Sequence, residues 1–361
     1  MHTLTEAWPG RKILGEPSSK LSRRATAATV ARTAKVSRVA VSRAFNPNAS
    51  IKPEKRDLIL QIARELNYSP DLAARSLVTR RSHLVGVIVP DVCSPWESQE
   101  IDSLTTALQA EGFATLLFKT RVDRSMNATL LTYMKAYNPD SIIAFTENAL
   151  PQLLGEIFDR AVPILITYPH AERSTEPERG EQRLFDRLEV LQHEGLDQAV
   201  ALLQGFGRSR IAYLSGDPHA SASIDREHVL RQVMAARGLS GPVMVEGDFS
   251  YATAFEATIK LYRVGEGADA ILAANDVSAF GAIDALRHEL GLKVPEDVAV
   301  IGFDDIAQAA WRSYNLTTVK VDLAERTRAL VRLILRRLKT PGLPSMTETI
   351  RTRLVVRGTV A

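Results

Sequence analysis

One cysteine, Cys93, stands among 361 residues, so an internal disulfide is excluded and a reducing compartment suits the chain. No apolar run approaches the length of a membrane-spanning helix, and the opening MHTLTEAWPGRKILGEPSSK has no apolar core of the kind a signal peptide needs. A cytoplasmic location is the expectation. The usual signatures of catalysis are missing too. There is no phosphate-cradling G-x-x-x-x-G-K loop and no G-x-G-x-x-G turn; Gly265-Glu266-Gly267 is a loop and nothing more. The seven histidines are scattered, without H-E-x-x-H or Cys/His spacing for a metal, and no G-x-S-x-G elbow occurs. Asp304 and Asp305 are adjacent in sequence, so their side chains need not converge as an acid/base pair does. The chain does not read as an enzyme, and no cofactor or metal is implied. No heptad run closes the C-terminus to suggest a tetramer.

What is present is an uneven charge. Residues 1–82 hold 16 Lys and Arg against 6 Asp and Glu, a net of +10, whereas the remainder carries 29 against 36, a net of −7. A small basic head on a mildly acidic body is the electrostatic footprint of a nucleic-acid module joined to something else. The length allows two or three domains, and 45% hydrophobic with 24% charged residues is ordinary for a globular protein. Residues 1–25 read as a disordered basic arm.

Within the head, Thr26 to Asn46 reads TAATVARTAKVSRVAVSRAFN. Thr26 is a good N-cap, and Val30, Ala31 and Ala34 share one helical face. Val36 falls in a short break, after which Val41, Ala44 and Phe45 resume the helical spacing. Ser37 would cap the second helix, leaving Arg38 and Val39 at its exposed start and Ser42 and Arg43 one turn on. Two short helices with a tight turn can be a helix-turn-helix, whose second helix enters the DNA major groove, or one helical hairpin with a solvated charged face. After the loop NPNASIKPE, the segment Glu54 to Asn67 carries Leu58, Ile59, Ile62, Ala63 and Leu66 at helical spacing, enough to close a three-helix core.

The phrase VSRVAVSRAFN resembles the recognition helix of the LacI family of bacterial transcription regulators, G-V-S-x-x-T-V-S-R-x-L-N, matching at Val36, Ser37, Val41, Ser42, Arg43 and Asn46. Lys35 stands where the family usually has a turn glycine, and Ala40 replaces the usual threonine. Lysine adopts positive φ less freely than glycine, so the turn is expected to be strained or differently shaped. The resemblance implies that Thr26, Ser37, Arg38, Val39, Ser42, Arg43 and Asn46 meet the operator. NYSPDLAARSL, residues 67–77, is similar to the family's hinge phrase at Tyr68, Pro70, Ala74, Arg75 and Leu77, with Asp71 in place of asparagine. It implies a segment that becomes helical on DNA and wedges Leu77 into the minor groove, with Arg75 beside it. So short a segment is unstable as an isolated helix, and an apolar wedge unstacks a base step. An ordinary linker helix is the plainer alternative.

From His83 the pattern changes to apolar strands alternating with amphipathic helices. HLVGVIVPD, FATLLFKT, SIIAFT and VPILITY read as strands, with helices at about 97–111, 128–136 and 150–160. A second round begins near Leu188, with strands RIAYLSG, VMVEG, AILAAN and VAVIGFDD between helices at 194–205, 225–237, 251–263 and 277–289. This is an α/β pattern of doubly wound parallel sheets in two lobes, with a cleft at the carboxyl ends of the strands.

VGVIVPD, RIAYLSGD, ILAANDVSAFGAIDALR, VPEDVAVIGFDD and LTTVKVD resemble the effector domain of the LacI family, which shares its fold with periplasmic sugar-binding proteins of type I. The likeness runs from residue 26 to 361. It implies a head at 26–70, a hinge and linker at 71–82, and an effector-binding and dimerisation domain at 83–361. Lobe 1 would span about 83–187 and 319–342, and lobe 2 about 188–318 and 343–361. Effector contacts carried over are Trp96 after Ser94-Pro95, Arg226, Phe249, Asn275 of the A-N-D phrase and Asp304 of G-F-D-D. Asn275 can equally cap the helix at 277, Asp304 a turn, and Trp96 can be packing. Where many relatives have V-x-x-D-N-x-x-G, this chain has Leu191-Gln192, which removes an acidic acceptor from the expected cleft. The implied protein is a homodimeric repressor on near-palindromic double-stranded DNA, controlled by a sugar or sugar-acid-like metabolite. A solute-binding or sugar-processing protein with an incidental head is the rival.

Overall fold

The computed structural model describes residues 25–46, 49–70, 81–89, 93–119, 128–145, 162–167, 185–265 and 267–361. They fall into two compact units, residues 1–80 and 81–361.

The smaller unit is built on α1 (Ala27–Thr33), α2 (Arg38–Ala44) and α3 (Pro53–Glu65). Thr26 Oγ1 accepts from the Thr29 amide at 3.3 Å and Ser37 Oγ from the Ala40 amide at 3.2 Å, so both helix starts are capped by the hydroxyls that the spacing singles out. Between them Val36 N donates to Ala31 O and Lys35 N to Arg32 O, with Lys35 at φ 53°. This is a Schellman turn with a lysine in the left-handed position. The expected departure is therefore strain and not shape: the turn keeps its form and the lysine bears it. Asn67, at φ 49°, makes the same turn after α3, with Tyr68 N donating to Ala63 O.

Val30, Val41 and Ile59 meet in the head's core, each burial contributing roughly 1.5–3 kcal/mol. Tyr68 packs edge-on against Phe45, 5.7 Å between ring centres. Leu58 departs from the expectation: it is 47% exposed, because it lies about 100° around α3 from Ile59, which takes the core position. Arg56, which the spacing does not mark, holds the loop with Nη2 donating to Asn46 O at 3.1 Å and Ala49 O at 2.8 Å.

The larger unit begins with Ser82 and His83 clamped on Asp140, whose two oxygens accept from both backbone amides and the serine hydroxyl. Its first half holds β1 (Leu84–Val89), α4 (Pro95–Ala110), β2 (Ala114–Lys119), α5 (Ala128–Tyr137), β3 (Ser141–Ala144), β4 (Ile164–Thr167) and β5 (Asp186–Leu191). The helix expected at 150–160 lies outside the described residues. After α6 (His193–Gly205) come β6 (Ile211–Leu214), α7 (Ser221–Ala236), β7 (Val243–Val245), α8 (Tyr251–Arg263), β8 (Ala270–Ala273), α9 (Asp276–Asp284), β9 (Ala299–Asp304), β10 (Thr317–Val321), α10 (Leu323–Lys339) and β11 (Thr347–Val355). Strands β3, β4, β6, β8 and β9 are buried along their whole length, as parallel strands covered on both faces must be.

The strands run in the order β2-β1-β3-β4-β5-β11-β10-β9-β8-β6-β7. All pairs are parallel except β10 with β11. β11 joins the halves: residues 347–351 pair with β5 and residues 352–355 with β10. Two features differ from the sequence reading. β5 is a strand of the first half, hidden in the sequence by its charged Asp186, Arg187 and Glu189. β10 stays beside β9, so the return expected from Val319 comes only with α10, which packs on α4. There Ser103 and Thr327 hydroxyls lie 2.8 Å apart, and Arg326 pairs with Glu100, both fully buried. No helix among the described residues is long and apolar enough to cross a membrane.

Candidate functional site

In the head, burial of Val41 and Ala44 turns the opposite face of α2 outward. Ser37, Arg38, Val39, Ser42 and Arg43 are all exposed, and Val39 keeps 61% of its surface in solvent although it is apolar. An uncovered valine flanked by two arginines at a capped helix start is suited to a thymine methyl and base edges in a major groove. Thr26 and Asn46 are exposed at the two ends of the motif. Arg75 and Leu77 lie outside the described residues.

In the body, the other candidates gather at the carboxyl ends of the second half's strands. Asp304 ends β9, Asn275 follows β8, Phe249 follows β7, and Arg226 lies in the α7 helix that follows β6. Trp96 comes from the first half, one residue into α4 behind the Ser94 cap, and packs half-buried against the apolar clusters of both halves. Arg226 is only 6% exposed. Its Nε donates to Gln192 Oε1 at 2.8 Å, one Nη donates to the Ala274 carbonyl, and its Cζ lies 3.5 Å from the centre of the Phe303 ring. Asn275 does cap α9: its Oδ1 accepts from Ser278 N at 2.8 Å, while Nδ2 donates to Phe249 O at 3.1 Å. The Phe249 ring occupies the space over Gly216, where a Cβ would come within 2.1 Å of it.

Asp304 is 9% exposed, and its carboxylate accepts no hydrogen bond among the described residues. Burial pushes its pKa well above the usual carboxylate range; the Arg226 charge opposes this, and Asp276, Glu97 and Glu100 push further up. Asp276 is itself fully buried. Its oxygens accept from Thr318 Oγ1 at 2.5 Å and Ile306 N at 2.9 Å, and Gly302 is required because a Cβ would lie 2.2 Å from Asp276 Oδ1. Burial raises Asp276 to about 7. Asp305, by contrast, is held by Lys320 at 3.0 Å and Arg357 at 2.5 Å.

Three residues of this site, Phe249 at φ 69°, Asp304 at φ 119° and Asp305 at φ 62°, hold backbone angles that side chains resist. Such strain costs about 1–3 kcal/mol each and gathers where a ligand is gripped. Gln192, Phe303, Asp276 and Thr318 also belong to the site: Asp276 stands in the A-N-D phrase, Phe303 in G-F-D-D and Thr318 in LTTVKVD, and Gln192 is a departure from an expected phrase, but none of these signals by itself names an effector contact.

Residues 27–71 match the family of bacterial regulatory proteins, lacI family, and residues 200–360 match the periplasmic binding protein-like domain. The ribose operon repressor of Escherichia coli K12 is 28% identical over 337 residues, covering 92% of this chain and 99% of its own. The HTH-type transcriptional regulator CelR of Thermobifida fusca is 28% identical over 345 residues, covering 93% and 98%. Among solved structures, the lac repressor dimer bound to operator and an anti-inducer superposes with a TM-score of 0.81 at 22% identity, over 94% of this chain and all of that one. The complex of CelR with cellobiose gives 0.66 at 26% identity, over 93% of this chain and all of that one. With a capped helix-turn-helix at one end, a strained and buried polar cleft at the other and relatives matched along nearly their full length, this chain belongs to the LacI family of bacterial regulators.

Proposed function

We propose that the chain is a cytoplasmic, homodimeric transcription repressor, not an enzyme, whose hold on a near-palindromic operator is controlled by a sugar or sugar acid bound between the halves of its body. The exposed face of α2 carries this reading. Arg38, Val39 and Ser42 meet base edges, while Arg43 meets phosphate or guanine. Thr26, Ser37 and Asn46 sit at the backbone, and the segment with Arg75 and Leu77 orders on the minor groove. Relatives whose names speak of operons and repression, and a relative solved with cellobiose, support both halves of the reading.

The test is a gel shift on the protein's own upstream DNA, followed by Arg38→Ala. A bidentate base contact is worth about 1–3 kcal/mol. The variant should therefore lose about tenfold or more on the operator and little on unrelated duplex. Equal loss on every sequence would count against base reading. A protein that ignores every duplex at low salt would end the proposal.

A further inference from the structure

A buried guanidinium ordinarily has a carboxylate against it, because burying its charge alone is costly. Arg226 has none: no carboxylate forms an ion pair with it among the described residues. Its hydrogen-bond and ring partners are the Gln192 amide oxygen, the Ala274 carbonyl and the Phe303 ring, all neutral. One terminal nitrogen, the second Nη, is left without a hydrogen bond. The side chain beside it, Asp304, is nine-tenths buried and equally without a partner.

Resting on the regulator reading above, we propose that the effector is a sugar acid, its carboxylate seated on the open nitrogen of Arg226, and that Gln192 supports this selectivity by giving Nε a neutral partner in place of an ion pair. A carboxylate in place of Gln192 would neutralise Arg226 at Nε and leave neutral hydroxyls as the preferred partners. The raised pKa of Asp304 fits the same picture: a neutral carboxyl can donate to the ligand's acid group, whereas an ionised one would repel it. One free guanidinium nitrogen suits a singly charged carboxylate and not a phosphate, which takes more donors.

The test pairs sugars that differ only in oxidation at one carbon: glucuronate with glucose, galacturonate with galactose, and gluconate as the open-chain acid. Thermal shift and operator release are read on the full-length protein. At least one acid should raise the melting temperature and free the operator where its neutral partner does not. Gln192→Glu, which keeps the side-chain shape and adds the charge, should weaken that acid about tenfold or more and narrow the acid-to-neutral ratio by the same factor. Its melting temperature without sugar shows whether it folds, and the wild-type pairs decide the matter even if it does not. Neutral sugars binding as well as the acids, silence from every acid, or an unchanged ratio in Gln192→Glu each overturns the proposal. Operator release by a neutral sugar would sink this inference and spare the regulator; failure to bind operator would sink the regulator itself.

Discussion

Asp276 shows how much one side chain can be asked to hold. Among the described residues it forms no ion pair, yet it ties three elements of the second half: Thr318 on β10, Ile306 beyond β9, and Gly302 within β9, which has no Cβ so that the carboxyl can fit. Its folded pKa, about 7, lies above the ordinary 3.8, so folding favours the protonated form. This part of the stability is complete below about pH 4 and is lost as pH rises through 7. Asp276→Asn keeps the shape, with the amide oxygen on Ile306 N and the amide donating to the Thr318 hydroxyl. The variant should flatten the decline of melting temperature between pH 5 and 8. A slope equal to wild type would show that another group carries it.

At the scale of an element, the turn between α1 and α2 carries a cost. Four comparable turns, after α4, α6, α7 and α8, use Gly112, Gly207, Gly238 and Gly265, all at positive φ. Lys35 does the same work at φ 53° with a Cβ. The left-handed conformation costs an L-residue roughly 1–2 kcal/mol, while glycine gives back roughly 0.5–1 in the unfolded chain. Lys35→Gly should leave a gain of about 0.5–1 kcal/mol for the head. Amide exchange at Ile59 and Ile62 should then slow about two- to fivefold. Unchanged protection there would show that the strain is relieved elsewhere in the turn.

Across the whole molecule, the two halves of the body are not free of one another. They share β11, and α10 lies on α4 after leaving β10. The far end of α10 is anchored by Arg337, whose Nε and Nη2 meet Asp186 at 2.9 and 2.5 Å, while Nη1 donates to the carbonyls of Pro341 and Leu343 and Nη2 also to that of Pro344. A ligand between such halves acts only through its differing affinity for their arrangements. Effector and operator must then alter each other's affinity by one common factor, typically about 5–150-fold. Titration calorimetry of the effector with and without operator, set beside the reverse experiment, measures it twice. A factor of one in both directions would remove the cleft from control of the head.

The order of elements was legible because local rules agree: capping hydroxyls at Thr26 and Ser37, helical spacing through Ile59 and Ile62, and apolar runs such as SIIA and AILA that only a covered parallel strand tolerates. Arg226, Asn275 and Asp304 are named by the likeness to the family's effector domain, and of these Asn275 falls at a helix start and Asp304 at a strand end. Pairing over long sequence distances could not be read, because no local pattern records it. That β11 would be shared by both halves, that β5 would be a strand despite its charges, that Leu58 would turn outward, and that Gln192 would be the partner of Arg226, 34 residues away, were settled by packing. Such contacts are chosen by which buried groups can satisfy one another, and that is a property of the assembled fold.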